Sequence, residues 1–226
     1  MSRPDAAAAP PLLDVRGLSK LFALPLGLGD RLMRRTPHWL RAVDDVSLYV
    51  RRGETLGVIG ESGCGKSTLG RTILKLHEPS GGAVIFDGAD VAPMTPAQFR
   101  PLRKRMQIIF QDPYASLNPR RTVAEIVGLP LRLHEGLSAR DAEARVAQFL
   151  PRVGLTERHL RRYPHQFSGG QRQRVGIARA LILNPDFVVC DEPVSALDVS
   201  IQAQIIELLQ EFKAQLGLTY LFISHD

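Results

Sequence analysis

Gly60, Glu61, Ser62, Gly63, Cys64, Gly65, Lys66, Ser67 and Thr68 bring three glycines, a lysine and three hydroxyls into nine consecutive residues. Glycines at this spacing let backbone N–H groups wrap phosphate oxygens. The Lys66 ammonium reaches the outer phosphates, and the Ser67 hydroxyl ligates a hard cation such as Mg²⁺. A second group follows the apolar run Phe187–Cys190: Asp191, placed to hold Mg²⁺ through water, and Glu192, placed to polarise an attacking water. Gln111 follows the expected strand 107–110, whose residues 108–110 are apolar, so its amide can bridge metal, water and a moving neighbour. His225 follows Leu221–Ile223 and can reach a γ-phosphate. A lone Gln or His is ordinarily polar surface. These two gain meaning from standing after strands, where ligands of open α/β sheets collect. Finally, Ser168, Gly169, Gly170 and Gln171 open a helix some twenty residues before Asp191. A glycine-led helix start presents unpaired N–H groups and a positive dipole end to an anion. Two such starts in one chain suggest a nucleotide held between two surfaces.

The elements that position these residues alternate. Strands are expected at Leu12–Phe22 (as an edge strand), Val46–Val50, Thr55–Ile59 (buried, running into the glycine loop), Ala83–Phe86, Gln107–Phe110, Phe187–Cys190 and Thr219–Ile223. Helices are expected at Thr68–Leu76, Pro96–Arg105, Gln171–Leu183 and Ile201–Leu216. Residues 123–167 read as mostly helical, with Ser138 as N-cap of Ala139–Val153. This alternation predicts an α/β fold with a largely parallel sheet. Pro25–Arg41 is a Gly/Pro-punctuated insert with Arg31, Arg34, Arg35 and Arg41 around Trp39. It reads as an exposed hairpin or loop, or as a patch for a membrane surface or nucleic acid.

The 226 residues suffice for one large α/β domain or a core with a small insertion, and a net charge of +6 suits an anionic partner or phosphorylated ligand. Cys64 and Cys190 are the only cysteines, which argues against a disulfide framework or structural zinc and for a reducing compartment. No apolar run approaches the ~20 residues of a membrane helix. Residues 1–11, an alanine run stopped by Pro10 and Pro11, read as a disordered leader.

Together these stretches resemble the ATP-binding cassette (ABC) ATPases from Leu12 to Asp226. The matching motifs are the Walker A loop Gly60–Thr68, the Q-loop at Gln111, the signature Ser168–Gln171, Walker B at Phe187–Glu192, the D-loop Ser195–Asp198 and the switch histidine His225. More narrowly, Gly57–Arg71, Phe110–Pro119 and Tyr163–Arg174 resemble the ATPase subunits of oligopeptide/dipeptide importers. The resemblance implies a P-loop NTPase (RecA-like) core over 12–122 and 168–226. It also implies an N-terminal antiparallel β portion and a helical subdomain over 123–167. ATP and Mg²⁺ are the implied ligands, with Ser67, Gln111 and Asp191 at the metal. Glu192, His225 and Gln111 are implied in catalysis. Phe22 matches the aromatic, usually Tyr, that stacks on adenine; Phe167 replaces a commoner Leu.

The family pairs two cassettes head to tail, so Ser168, Gly169, Gly170, Gln171 and Asp198 would act on ATP bound by a second cassette, a copy or a paralogue. Membrane permease subunits, and indirectly a solute-binding protein, are the other implied partners. No nucleic acid is expected, and the implied location is the cytoplasmic face of the bacterial inner membrane. Family members continue past the switch histidine, so the C-terminal part of the family domain is expected to be absent. Two other classes share parts of the pattern. DNA-repair ATPases place a very long coiled coil between their halves, whereas Gln111 and Ser168 are 57 residues apart (168 − 111) with no heptad run between them. Cassette proteins of phosphonate breakdown resemble dipeptide importer ATPases and stay open.

Overall fold

The computed structural model describes residues 10–24 and 38–225. The leader up to residue 9, Asp226 and insert residues 25–37 lie outside the described residues. Of the insert's named side chains, Trp39 and Arg41 fall on a strand.

The chain divides into two compact units. The first comprises Met1–Arg51 and Gly60–Thr95. Its sheet is antiparallel, in the order β2-β1-β4-β5, built from β1 (Leu13–Ala23), β2 (Trp39–Val50), β4 (Gly81–Phe86) and β5 (Ala89–Asp90). Strand β1 pairs on both sides, with β2 and β4. That corrects its reading as an edge strand. Leu13, Val15 and Leu18 are fully buried on it, and loose alternation gave no sign of the second neighbour. Helix α1 (Lys66–Ile73) belongs to this unit.

The second unit comprises Arg52–Ile59 and Pro96–Asp226. Four parallel strands run in the order β3-β8-β7-β6: β3 (Thr55–Ile59), β8 (Thr219–Ser224), β7 (Phe187–Asp191) and β6 (Met106–Ile109). Central β7 is buried at every position, as expected of a strand flanked on both sides. Strand β3 is not the buried strand its apolar sequence predicts. Among the described residues it pairs only with β8, its residues alternate between exposed and half-buried, and Ile59 is 73% exposed.

Helices α2 (Pro96–Phe99), α3 (Pro113–Ser116), α4 (Val123–His134), α5 (Ala139–Phe149), α6 (Gly169–Leu181) and α7 (Val199–Leu216) complete this unit. The helix expected over Pro96–Arg105 is broken: Pro101, which lacks an N–H and clashes with the turn before it, ends α2 and starts a separate 3₁₀ turn at Leu102–Lys104. In the 123–167 stretch, Thr122 and Glu125 form a capping box on α4, and Ser138 caps α5 as expected. Gly128 faces the second of these helices; an added Cβ would lie 3.4 Å from Ala142 Cβ, at van der Waals contact. The Val146, Phe149, Leu150 and Val153 stripe joins the core around Ile177, Val188 and Phe212.

Candidate functional site

The chain leaves β3 directly into the glycine loop. Glu61, Ser62, Gly63 and Cys64 are exposed, while Lys66 is 7% exposed. Gly65 has φ +99°, and a Cβ there would stand 2.0 Å from the Ala42 carbonyl oxygen, so only glycine fits. Gly65 is also the N-cap of α1, and no side chain caps that helix. The positive end of the α1 dipole is thus met by no capping side chain. Lys66 Nζ turns back to donate to the carbonyls of Gly60 (2.6 Å) and Glu61 (2.7 Å), with no carboxylate partner among the described residues. A buried ammonium beside an uncapped helix start is a net positive cradle. It fits a phosphate chain, whose oxygens would take over from the two carbonyls. Ser67 and Thr68 occupy the first turn of α1.

Phe22 lies in the same unit and is half-buried. His77 meets its ring edge-on with centroids 5.4 Å apart, and Lys20 Nζ stands 4.8 Å over one face. Burial, with Arg71 and Lys20 adding repulsion, holds the His77 pKa below its usual value.

In the second unit, Asp191 ends β7 with no exposed surface. Glu192 follows with φ +45°, a left-handed conformation that costs a non-glycine residue about 1 kcal/mol or more. Its N–H donates to Ile223 O (3.1 Å), and its carbonyl accepts from Ser195 N (3.3 Å) and Ser195 Oγ (3.2 Å). These bonds hold the turn and aim the side chain. One carboxylate oxygen, Oε2, is met by Gln111 Nε2 at 2.8 Å and by His225 Nδ1 at 3.3 Å. Two consequences follow from donor chemistry. With its NH₂ on Glu192, Gln111 keeps its amide oxygen as an acceptor for a cation. With Nδ1–H on a carboxylate, His225 keeps Nε2 as its outward group. The Glu192 side chain is 11% exposed and that of His225 51%. Both help to line a cavity of about 310 Å³ with Ser195, Gln202 and Phe222. The proposed metal ligands Ser67, Gln111 and Asp191 are all oxygen donors, a set that suits Mg²⁺.

The second glycine-led helix start differs from the first. Ser168 caps α6: its Oγ accepts from Gln171 N–H (3.3 Å), and Gln171 Oε1 accepts from Ser168 N–H (3.2 Å). This capping box takes two of the N–H groups expected to face an anion, those of Ser168 and Gln171. Helix geometry leaves those of Gly169 and Gly170. Gly170 also has a packing reason, since a Cβ there would lie 2.6 Å from Ile201 Cγ2, whereas at Gly169 it would lie 3.5 Å from Leu197 Cδ2. Asp198, exposed, is the N-cap of α7 but makes no side-chain cap bond.

The structure therefore brings Gln111, Glu192 and His225 into contact, with Asp191 adjacent in the chain. Residues 60–68 and Phe22 belong to the other unit. Ser168–Gln171 packs on the Leu197–Ile201 stretch and shares no hydrogen bond with the Glu192 cluster among the described residues. Sequence reading missed Tyr114, Arg172 and Arg179, which meet across α3 and α6. The two arginines, seven apart on one helix, were the available signal.

Residues 43–195 match the ABC transporter family. The chain belongs to that family. It is 49% identical over 222 residues to the oligopeptide transport ATP-binding protein AppF of Bacillus subtilis (strain 168), covering 98% of this chain and 66% of AppF. It is 49% identical over 217 residues to OppF of the same organism, covering 95% of this chain and 68% of OppF. It is 52% identical over 216 residues to the glutathione import ATP-binding protein GsiA of Escherichia coli (strain K12), covering 96% of this chain and 34% of GsiA. The chain thus spans about two thirds of the first two relatives and a third of GsiA. Among solved structures, the dimeric post-hydrolysis state of the ATP-binding cassette MJ0796 bound to ADP and Pi matches with a TM-score of 0.81 at 30% identity, covering 95% of this chain and 88% of that one. The α/β cassette fold with its antiparallel and parallel sheets is the fold expected from sequence.

Proposed function

We propose that this cassette is the ATP-binding and ATP-hydrolysing subunit of an ABC importer that energises uptake of oligopeptides, dipeptides or similar small solutes. The observation that carries the reading is the Glu192 carboxylate, one oxygen of which is fixed by both Gln111 and His225. A carboxylate aimed by two donors and kept 11% exposed suits a general base for water. The loop N–H groups of 60–65 and Lys66 bind the phosphates, and the face of Phe22 away from Lys20 stacks on adenine. Ser67, the amide oxygen of Gln111 and Asp191 hold Mg²⁺, which when bound neutralises phosphate charge. His225 turns Nε2 toward the terminal phosphate.

Ser168, Gly169, Gly170, Gln171 and Asp198 act on ATP held by a second cassette, a copy or a paralogue. The dimeric MJ0796 cassette supports this arrangement. Membrane permease subunits and, through them, a solute-binding protein complete the assembly. No described helix is long and apolar enough to cross a membrane. A peripheral place on the cytoplasmic face of the inner membrane, with the permease supplying the spans, accords with that. The relatives' names support peptides as the solute class.

Glu192→Gln tests the reading. Steady-state ATP turnover should fall at least ~10²-fold, as expected for loss of a general base, while ATP still binds. Turnover near that of the parent chain would remove Glu192 from this role.

A further inference from the structure

Arg172 and Arg179 lie seven residues apart on α6, hence on one face of the helix. Both reach the segment that follows Gln111. Arg179 Nη1 donates to the Ser116 carbonyl at 2.5 Å, at the C-terminal end of α3, and its guanidinium lies 5.5 Å from the Phe110 ring centroid. Arg172 stands 3.5 Å over the Tyr114 ring, and its Nε donates to Pro164 O at 2.7 Å. Neither has a carboxylate partner among the described residues. Burial pushes the Arg179 guanidinium pKa down with no acid to oppose it. Arg179 is half-buried; a partly desolvated cation without a counter-charge is costly, and an apolar side chain of similar volume would serve packing as well or better. Between the two arginines, Gly176 leaves open space: an added Cβ would meet nothing within 4 Å. Helix and segment are therefore joined through arginine contacts at this face. At the segment's other end, the Gln111 amide rests on Glu192 at 2.8 Å.

We propose that Arg179, supported by Arg172, is a positioning residue that fixes the 110–116 segment to α6 and thereby sets the Gln111 amide on the Glu192 carboxylate. The proposal rests on reading Glu192 as the base for hydrolysis. Its consequence is a direct mechanical link. Helix α6 begins at Ser168, so a ligand meeting the Gly169 and Gly170 N–H groups acts on the same rigid element that holds Gln111 in place.

The test is a double-mutant cycle in the full chain assembled with its partner cassette. Arg179→Met, Gln111→Ala and the double variant are compared for kcat, KM for ATP and thermal midpoint. Misplacing an orienting group costs roughly 10- to 100-fold. Arg179→Met should lower kcat by about that factor, change KM less than about twofold and leave the midpoint unchanged or raised. The double variant should be no slower than Gln111→Ala alone, because Arg179 acts through Gln111. Unchanged kcat in Arg179→Met, or losses that multiply in the double variant, would overturn the proposal. Should the methionine chain fail to fold, Arg179→Lys is read in the same cycle. Its ammonium can still donate to Ser116 O, so its kcat should fall less than tenfold; losses that multiply there also count against the proposal. Glu192→Gln is run in parallel. If it keeps turnover, the reading of the site fails; if it loses turnover while Arg179→Met does not, only the positioning role fails.

Discussion

Two helices of this chain begin with glycines, and they are built for different tasks. Helix α1 starts at Gly65 with no side-chain cap, a buried lysine beside it and a glycine that the Ala42 carbonyl would forbid to be anything else. It has no side-chain cap of its own, which suits the anion site proposed there. Helix α6 starts at Ser168 with its own capping box, and its Gly170 is required by Ile201. It is locally complete and leaves only two N–H groups to offer. The comparison teaches that a glycine-led helix start says little until its cap is known: in the proposed function the first start would hold a ligand for its own chain and the second would touch one held elsewhere.

The largest contrast should appear in nucleotide binding. Lys66→Met removes the one buried cation of the α1 start and should weaken ATP binding by roughly 10- to 100-fold, the scale of a charged hydrogen-bond partner lost. Ser168→Ala should change it less than about twofold; calorimetric titration reads both. Equal losses would erase the distinction. Stability gives the next contrast. Gly65→Ala must place a Cβ against the Ala42 oxygen at φ +99° and should cost about 2 kcal/mol or more. Gly169→Ala meets Leu197 at an ordinary 3.5 Å and should stabilise by roughly 0.5 kcal/mol. Denaturant unfolding separates the signs.

The smallest effect concerns capping boxes, on the α4 example. Glu125 accepts from Thr122 N–H (2.8 Å) and Oγ–H (3.1 Å), which holds its carboxylate below the usual range. A depressed folded pKa means the unfolded chain binds the proton more readily. The contribution is therefore complete above the unfolded value of about 4.3 and fades as pH falls through the folded one. The difference in thermal midpoint between the parent chain and Glu125→Gln should shrink between pH 6 and pH 3, on the order of the 1 kcal/mol of a cap.

The glycine loop, the acid pair and the strand-end Gln and His were legible because each depends on residue type and local spacing. The Ser-x-x-Gln box at 168–171 depends on local spacing in the same way. What could not be read is non-local. The Ala42 oxygen over Gly65 and Ile201 over Gly170 come from distant segments. Likewise, the neighbours of β1 and β3 depend on sheet order, and that left β1 taken for an edge and β3 for a buried strand. The left-handed backbone of Glu192 arises from bonds to Ile223 and Ser195, which no local propensity announces.

The most direct test of the two-start account is Ser168→Arg, which fills the space before the Gly169 and Gly170 N–H groups. ATP affinity and hydrolysis are measured on the same preparation with its partner cassette. The account predicts that this chain binds ATP as tightly as before, while turnover falls at least ~10-fold through lost stabilisation of phosphate charge. A loss of affinity as large as the loss of turnover would contradict it, because Ser168 would then serve the nucleotide bound by its own chain.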